Sequence, residues 1–359
     1  MDLVYSRGVL VIQHLQNNYR EHHDFLNFMS TVGDPRNIFS IYFPLWFHLS
    51  HNVGKKMIWV AVFGDWLNLI FKWILFGQRP YWWVQETPFY HNDSFPLLEQ
   101  FHNTCETGPG SPSGHAMGSS CVWYVMITSA LNFTRTSSST VTSVQSFQRF
   151  RLLRSCLWMA FWVIQISVCV SRVFIATHFP HQVVLGLLAG MLVAEAFDHI
   201  PSVYNASLKV YLQTNVFLFS FAICFYLIFK STDIDPLWSV AKAKKWCANP
   251  DWIHLDTTPF AGLVRNLGAL FGLGLAVNSR MFIQSCKGKN GYKARFKLMC
   301  VAATLTSLQL YDLVKIPTHT EVLFYFLSFC KSASVPLGVV AVIPYCVHLL
   351  IGHEDRKLA

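Results

Sequence analysis

Residues 57–76 read MIWVAVFGDWLNLIFKWILF, an apolar run of 20 residues that contains two charged side chains, Asp65 and Lys72. A helix needs about 20 mostly apolar residues to cross the hydrocarbon core of a bilayer. The same criterion, applied outward along the chain, predicts spans near residues 25–48, 57–76, 117–134, 153–172, 180–200, 210–230, 257–278, 296–314 and 321–350. The sequence therefore predicts an all-α, polytopic membrane protein of about nine transmembrane helices, with residues 1–359 as one integral-membrane domain.

Two of these spans contain residues that break helices. The sequence GDPRN, residues 33–37, interrupts the first span, and Pro336 and Pro344 lie within the last. Proline removes a backbone donor and clashes with the preceding turn. We therefore expect a weak first span and a kink in the last one.

The composition also indicates a bilayer environment. Hydrophobic residues make up 53% of the chain and charged residues 13%, against about 25% charged residues in an ordinary soluble domain. The net charge of +9 does not indicate nucleic acid, because the basic residues lie between apolar runs and not beside aromatic platforms. The N-terminal stretch has too short an apolar core for a cleavable signal peptide, so none is expected.

The distribution of Lys and Arg predicts the orientation in the membrane. Three loops that lie on one side by parity are rich in these residues, which places that side in the cytoplasm. The loop between residues 76 and 117 then faces the lumen, and its Asn92-Asp93-Ser94 is a predicted glycosylation site. The C-terminal RKLA resembles a dilysine retrieval signal, which predicts an endoplasmic reticulum membrane protein with a cytoplasmic tail. Residues 231–254 oppose this scheme, because three lysines lie there on the non-cytoplasmic side.

The cysteines do not form a recognisable metal site or disulfide framework. Most lie in apolar segments, where cysteine behaves as a small hydrophobic residue. No pair has the spacing of zinc ligands. Cys105 and Cys247 fall in polar loops that share one compartment by parity, and both a bridge and two free thiols remain open for them.

Cations and a histidine collect at one predicted membrane boundary. Lys72 and Arg79 are seven residues apart, which predicts that both lie on one helix face at the lumenal end of their span. Arg172 and His178 lie six residues apart at the same boundary. Ionisable residues at membrane depth indicate function by default. For a single residue, the alternatives are a cation that reaches the interface and a packed core histidine.

The loop PSGH, residues 112–115, adds hydrogen-bond donors to this boundary. Gly114 lets the backbone approach a ligand, and Ser113 offers a hydroxyl. The N-terminus of the next span contributes the positive end of its dipole, and His115 is a second histidine. The preceding CETGPG, residues 105–110, has no predicted role beyond a turn.

These residue types together favour phosphoryl transfer without a metal or other cofactor. Three cations with added donors suit a phosphate-like dianion, because Arg binds it in a bidentate manner and Lys adds a point charge. Two histidines can supply a nucleophile and a general acid. No set of carboxylates of the kind that binds Mg²⁺ or Zn²⁺ accompanies them.

The motifs resemble a known three-part signature. Lys72-x6-Arg79-Pro80, the PSGH of residues 112–115 and Ser171-Arg172-x5-His178 resemble the type 2 phosphatidic acid phosphatase superfamily. Longer segments at residues 64–84, 104–118, 176–184 and 254–276 resemble the glucose-6-phosphatase catalytic subunit family. Residues 27–39, 244–254 and 316–325 are most similar to the islet-specific catalytic-subunit-related branch of that family.

The resemblance implies a role for each matching residue. His178 matches the nucleophile that would form a phosphohistidine, and His115 matches the general acid. Lys72, Arg79 and Arg172 match the cations that bind the substrate phosphate, and these three residues are called here the phosphate clamp. Ser113 and Gly114 match the other residues that donate to this phosphate. The implied activity is hydrolysis of glucose 6-phosphate in the endoplasmic reticulum lumen, within gluconeogenesis and glucose homeostasis.

One position departs from the superfamily pattern. An Asp is expected four residues after the nucleophile, to hold its other ring nitrogen, and Gln182 stands there instead. A neutral Gln stabilises an imidazolium less than Asp does, so either another carboxylate serves or the orienting role is weaker. Asp34 is a candidate for that carboxylate or for a sugar-hydroxyl acceptor, although a helix cap at the broken span is the simpler explanation. His181 is expected to be structural.

The sequence leaves two other functions open. A lipid-phosphate phosphatase of the same superfamily would share the signature, and a catalytically weak paralogue could have a regulatory or structural role. Under the leading hypothesis the partners are glucose 6-phosphate, the lipid bilayer and a separate glucose-6-phosphate transporter, because a sugar phosphate dianion does not cross a bilayer unaided.

Overall fold

The computed structural model describes residues 1–90, 95–138, 144–286, 293–318 and 320–358, and these residues form helices, turns and irregular segments without a β-strand. The α-helices are α1 (Asp2–Asn18), α2 (His23–Val32), α3 (Phe43–Leu49), α4 (His51–Leu75), α5 (Pro80–Glu86), α6 (Gly114–Ser138), α7 (Val144–Phe174), α8 (Pro180–Asp198), α9 (Leu208–Ser231), α10 (Trp238–Trp246), α11 (Pro259–Val277), α12 (Arg280–Ser285), α13 (Ala294–Asp312), α14 (Glu321–Leu337) and α15 (Ile343–Leu358). The prediction of an all-α fold is confirmed.

Six stretches of helix in the described part of the chain are long and apolar enough to cross a membrane. They are His51–Tyr90, Phe147–Phe174, Pro180–Asp198, Leu208–Ser231, Pro259–Val277 and Glu321–Ile351. The predicted spans near residues 117–134 and 296–314 are helical, as α6 and α13, but are not among these six. The membrane-protein class is therefore supported, and the predicted count of about nine spans is not confirmed.

The first predicted span, residues 25–48, is not one helix. α2 ends at Val32, and helical structure resumes at Arg36, with a widened turn at Ile38–Tyr42 that leads into α3. Pro35 lies in the break, where its ring and missing N–H prevent a continuous α-helix. In the last predicted span, a widened turn at residues 338–342 separates α14 from α15, as the two prolines in that span led us to expect.

The residues group into two compact units that alternate along the chain. The first contains Met1–Pro35, Leu67–Ala196 and Asp235–Pro259, and the second contains Arg36–Trp66, Phe197–Ile234 and Phe260–Ala359. The single domain predicted over residues 1–359 stays a prediction.

An aromatic cluster anchors the helices of the first unit. The ring of Tyr5 on α1 lies 4.7 Å from that of Phe179, just before α8, and 5.3 Å from that of Trp83 on α5. Rings at these distances attract one another beyond the burial of their area. α6 and α2 both pack on α7, and α10 packs on α5. These contacts fix the ends of the helices that carry the predicted site.

The second unit has its own core and an ion pair whose cation is buried. Phe296 and Cys300 of α13 pack against Val347 and Ile351 of α15. Lys56 of α4, whose side chain is 4% exposed, pairs with Asp198 at the end of α8.

A disulfide settles the question that the sequence left open for two cysteines. Cys105, in the loop before α6, is bonded to Cys247, in the loop after α10, with a Cα–Cα distance of 5.7 Å. The bond joins two segments of the first unit that are 142 residues apart in the sequence.

Candidate active site

Arg79 reaches the site by a different route from the one that the sequence predicts. α4 ends at Leu75, and Phe76 has a φ of 48°, so the helix does not continue to residue 79. Arg79 itself is extended, with φ −108° and ψ 150°, as the residue before Pro80 must be to avoid its ring. The prediction that Lys72 and Arg79 share one helix face is therefore wrong, although both belong to the same site.

The guanidinium of Arg79 is fully buried and held by main-chain carbonyls. Its Nε donates to the oxygen of Gly108 at 2.7 Å, and its Nη2 donates to that of Pro109 at 3.3 Å. Its Nη1 donates to the oxygen of Thr177 at 3.2 Å. Arg79 thus connects the loop before α6 with the loop between α7 and α8, and its orientation is fixed before any ligand binds.

Arg172 lies in the last turn of α7 and is also buried. Its Nη1 donates to the hydroxyl of Ser30 on α2 at 2.8 Å, and its Nη2 forms a short ion pair with Glu106. The Nε of Arg172 is buried and has no hydrogen-bond partner among the described residues. A buried donor without an acceptor is unfavourable, so this atom offers a place for a ligand oxygen.

Glu106 is the centre of the site, and the sequence analysis gave it no role. Its Oε2 lies 3.0 Å from Nη2 of Arg79, and its Oε1 pairs with Arg172 and lies 3.4 Å from Nδ1 of His115. Nε2 of His178 lies 3.9 Å from its Oε2. Burial raises the pKa of the Glu106 carboxyl, but the charges of Arg172 and Arg79, with a smaller effect of His115, outweigh burial and hold this pKa well below 4.5. The carboxylate is therefore ionised.

The ring of His178 is buried and has a defined tautomer. Its Nδ1 lies 2.8 Å from the main-chain oxygen of Gly110, which only accepts, so Nδ1 carries the proton. Nε2 is left with a lone pair, and Nη1 of Arg79 donates toward it at 3.4 Å. Burial, reinforced by the nearby guanidiniums, lowers the pKa of His178 well below 6.5. The imidazole is therefore neutral, which is the state that a nucleophile requires.

Gln182 lies where the sequence places it, but it shares the orienting task with the main chain. Its Oε1 is 3.4 Å from Nδ1 of His178 and accepts from the N–H of Phe179 at 3.1 Å. Its Nε2 donates to the oxygen of Gln78 at 2.7 Å. The shorter contact to His178 comes from Gly110, so a backbone carbonyl takes the place of the carboxylate that the superfamily pattern expects.

Ser113 and Gly114 lie at the beginning of α6, as predicted. The hydroxyl of Ser113 accepts from the N–H of Ala116 at 3.4 Å, while its own N–H donates to the oxygen of Gln182 at 3.1 Å. The N–H of Ser113 is therefore already used, and its hydroxyl proton remains as a donor. A Cβ atom added to Gly114 would lie 3.3 Å from Oδ1 of Asn68 and 4.0 Å from Nζ of Lys72.

Lys72 completes the phosphate clamp. A Cβ atom at Gly108 would lie 3.6 Å from its Nζ, so the ammonium lies between the loop that holds Arg79 and the first turn of α6. The charge of Lys72 also acts on His178. The structure thus brings together Lys72, Arg79, Arg172, Ser113, Gly114, His115 and His178, all in the first unit.

Three other predicted residues differ in how the structure bears on them. Asp34 lies close enough to act electrostatically on the guanidinium of Arg172, and its predicted orienting or sugar-binding role stays a prediction. The ring of His181 stacks on Phe179 at 5.9 Å, which fits a structural residue. The predicted glycosylation site at Asn92 lies outside the described residues.

The chemistry of this cluster suits an anion and not a cation. Two guanidiniums and the ammonium of Lys72 belong to the site, against the carboxylate of Glu106 and that of Asp34, which acts on Arg172, so positive charge is in excess even with neutral histidines. In the part of the chain that the structure describes, no group of three or more His, Cys, Asp or Glu side chains could hold a metal ion.

Glu106 could have been found from its neighbours in the sequence. It lies seven residues before Ser113, in a stretch otherwise made of Gly, Pro, Ser, Thr and Cys, and it is the carboxylate nearest in sequence to PSGH. Asp34 is the carboxylate that the sequence suggests as a replacement for the expected Asp, whereas Glu106 is the one that lies against His178. A single charged residue in a loop otherwise rich in turn residues is the sequence feature that could have identified Glu106 as a site residue.

Comparison with known proteins agrees with the resemblance in the motifs. Residues 54–203 match the family model described as PAP2 superfamily. Two proteins named Glucose-6-phosphatase 2, from Mus musculus and Homo sapiens, are 68% and 66% identical over 359 residues, which is 99% of each chain. Glucose-6-phosphatase catalytic subunit 1 of Canis lupus familiaris is 53% identical over 357 residues, 99% of this chain and 98% of its own. No solved structure matches the chain. At these identities over nearly the whole length, the predicted family is confirmed: the chain belongs to the glucose-6-phosphatase family of phosphatases, within the PAP2 superfamily.

Proposed function

We propose that this protein hydrolyses glucose 6-phosphate to glucose and inorganic phosphate, through a phosphohistidine on His178, in the lumen of the endoplasmic reticulum. The sugar is inferred from the names of the relatives, which are called glucose-6-phosphatases. The reaction class is inferred from the site.

A single observation carries the proposal. Arg79, Arg172, His115 and His178 converge on one carboxylate, that of Glu106, and two of these groups are fully buried guanidiniums. A carboxylate is the closest side-chain analogue of a phosphoryl group, because both present planar or trigonal sets of anionic oxygens to guanidinium donors. A phosphoryl group in this position would lie next to Nε2 of His178.

In the first half-reaction, the lone pair of His178 Nε2 attacks the phosphorus atom. The bond between phosphorus and the sugar oxygen breaks, and the electron pair of that bond goes to the oxygen. His115 donates a proton to this oxygen, so that glucose leaves as a neutral alcohol. The proton on Nδ1 of His178 stays on its hydrogen bond to Gly110 while the ring gains positive charge.

In the second half-reaction, a water molecule attacks phosphorus from the side that glucose has left. His115, now neutral, accepts a proton from this water. The bond between phosphorus and Nε2 breaks, its electron pair returns to His178, and inorganic phosphate is released. The overall change consumes one water and leaves both histidines in their starting states.

The phosphate clamp stabilises the transition state in both steps. Negative charge is spread over the three oxygens that do not react, and fixed donors of Arg79 and Arg172 face this position. Preorganised donors of this kind contribute about 3–4 kcal/mol each in related chemistry. The unpartnered Nε of Arg172 provides one donor more than a two-oxygen carboxylate uses.

The membrane location follows from the apolar helices and from the predicted orientation. A lumenal site requires that the sugar phosphate enter through a separate transporter, because a dianion crosses a bilayer too slowly unaided. The C-terminal tail is then cytoplasmic, where a retrieval signal is read.

The test is phosphate release from glucose 6-phosphate by the full chain purified in detergent. We expect the wild type to release phosphate and His178→Ala to be at least about a thousandfold slower. His181→Ala is the matched control, since this neighbouring histidine packs on Phe179 and should keep most of the activity. A lipid phosphate presented in mixed micelles is the competing substrate.

Equal release by the wild type and His178→Ala would contradict the mechanism, and faster turnover of the lipid phosphate would contradict the substrate assignment. Rapid acid-free quenching with radiolabelled substrate should trap phosphate on His178. In sealed vesicles, permeabilising the membrane should raise activity if the site is lumenal, and equal activity before and after would contradict that location.

A further inference from the structure

The carboxylate of Glu106 occupies the position in which the proposed reaction needs the substrate's phosphoryl group. Its two oxygens pair with Arg79 and Arg172, and its Oε2 lies 3.9 Å from the proposed nucleophilic atom of His178. Two anions cannot share these donors, since like charges at such distances repel strongly in a buried site. We propose that Glu106 is an internal competitor for the phosphate clamp, and that a phosphoryl group must replace its side chain before the reaction can begin. This inference rests on the proposed function.

The main chain at Glu106 is fixed, so the exchange involves the side chain alone. The N–H of Glu106 donates to the oxygen of Thr104 at 2.9 Å, and the hydroxyl of Tyr81 donates to the oxygen of Glu106 at 3.0 Å. Cys105, the residue before Glu106, is held by its disulfide to Cys247. On the other side, the hydroxyl of Ser239 donates to the oxygen of Thr107 at 2.8 Å.

The side chain of Glu106 is more exposed than those of the two cations with which it pairs. It is 17% exposed, whereas the side chains of Arg79 and Arg172 are 0% and 1% exposed. The cations thus stay in place while the carboxylate turns toward solvent by rotation of its own bonds. Rotamer changes of this kind are fast compared with ordinary enzyme turnover.

The carboxylate of Glu106 stabilises the two buried guanidiniums when no ligand is bound. Two buried guanidiniums without a counter-ion are strongly unfavourable, because their desolvation is not offset by any attraction. Glu106 supplies that attraction. In consequence, the apparent affinity for phosphate falls by the fraction of molecules in which the clamp is open.

A phosphoryl group can replace the Glu106 carboxylate at the phosphate clamp for two reasons. It carries up to two negative charges against one, and it has three terminal oxygens against two. The third oxygen can reach a donor that the carboxylate leaves unused, since the buried Nε of Arg172 has no partner among the described residues. The spare donor is therefore evidence that Glu106 is a replaceable occupant and not the permanent one.

The experiment measures binding of inorganic phosphate to the purified full chain by thermal unfolding at increasing phosphate concentrations. The stabilisation follows RT ln(1 + [L]/Kd), which gives a dissociation constant for each variant. We expect Glu106→Gln to bind phosphate at least about tenfold more tightly than the wild type, equivalent to about 1.4 kcal/mol. Glu99→Gln is the matched control, because Glu99 lies in the same loop but forms a surface pair with Arg20 at 3.3 Å. This control should bind phosphate like the wild type.

Glu106→Asp is the second variant, in case Glu106→Gln does not fold. Its carboxylate is one methylene shorter and reaches the guanidiniums less well, so phosphate binding should tighten by a smaller factor. Unchanged or weaker phosphate binding in a folded variant at residue 106 overturns the proposal. The proposal is also overturned if neither the wild type nor the variant binds phosphate.

The outcomes separate this inference from the proposed function. If Glu106→Gln binds phosphate more tightly while the wild type does not hydrolyse glucose 6-phosphate, the internal competitor stands and the proposed reaction fails. If the wild type hydrolyses the sugar phosphate and His178→Ala does not, but removal of the carboxylate leaves phosphate binding unchanged, the reaction stands and the competitor fails.

Discussion

Two ion-pair clusters with buried cations in this molecule differ in their balance of charge. In the second unit, Lys56 pairs with Asp198, one cation with one carboxylate. In the first unit, Glu106 faces two guanidiniums at ion-pair distance, and two imidazoles lie within 4 Å of its oxygens. A balanced pair satisfies itself, whereas a cluster with excess positive charge can accept a further anion. The balance of charge therefore separates a structural pair from a binding site better than burial does.

The largest expected effect comes from removing a cation from each cluster. Arg172→Met should lower the rate of glucose 6-phosphate hydrolysis by about a thousandfold, because it removes donors that face the transition state. Lys56→Met should leave the rate per folded molecule within about threefold and lower the free energy of unfolding by about 1–2 kcal/mol, since Asp198 is partly hydrated. Steady-state kinetics and thermal unfolding of both variants provide the test. An equal loss of activity in folded Lys56→Met would break the comparison.

The second effect concerns the covalent bond next to Glu106. Replacing Cys105 and Cys247 together by Ser should lower the free energy of unfolding by about 2–4 kcal/mol, because the bond closes a long loop in the unfolded chain. Activity should fall as well, since the bond holds the main chain of the carboxylate. Cys156→Ser, at an exposed free thiol, is the control and should change stability by less than about 0.5 kcal/mol. Equal stabilities of the double variant and this control would show that the bond does not fix the loop.

The smallest effect is a pH dependence of stability that comes from His178. His178 is neutral in the folded protein, so the unfolded chain binds a proton below about pH 6.5 that the folded chain does not. Stability should therefore fall as the pH drops below 6.5, by at most about 1.4 kcal/mol per pH unit. Glu106 has its pKa lowered by folding, so its stabilisation is complete above about pH 4.5 and is lost only below that value. Midpoints of thermal unfolding between pH 7.5 and 5 should then fall less steeply for His178→Ala than for the wild type, and parallel curves would refute this assignment.

The residues of the site that lie at helix ends could be predicted from the sequence. Apolar runs mark where helices end, and Lys72, Arg172, His115 and His178 each lie at such an end. The parity of the spans then places these ends on one side. For Arg79 the sequence correctly predicted a place beside Lys72 in the site, but the predicted cause, a shared helix face, was wrong. Helix periodicity does not reveal that α4 stops at Leu75.

The contacts that depend on the path of a loop could not be predicted, although the sequence offers Glu106 as a candidate charge. Glu106 and Gly110 lie in a segment without periodicity, and their places are set by contacts with distant residues. The disulfide to Cys247 and the hydrogen bond from Ser239 are made with a segment more than 130 residues further along. No local pattern carries this information. The break in the first span differs, because the local sequence GDPRN, residues 33–37, already predicted a weak span there.

The hydrogen bond from His178 to the oxygen of Gly110 shifts where mutations are expected to do harm. In an enzyme that orients its nucleophile with an Asp, substitution of that Asp removes the orienting group. Here the orienting group belongs to the main chain, and no side-chain substitution can delete it. Substitution of Gly110 itself is therefore expected to disturb the orientation of His178, because a Cβ atom there would lie 2.9 Å from the amide group of Gln182. Even alanine at this position would push against Gln182 and turn the carbonyl away from the ring. A mutation with no chemistry of its own should therefore inactivate this protein as surely as a change in a charged residue.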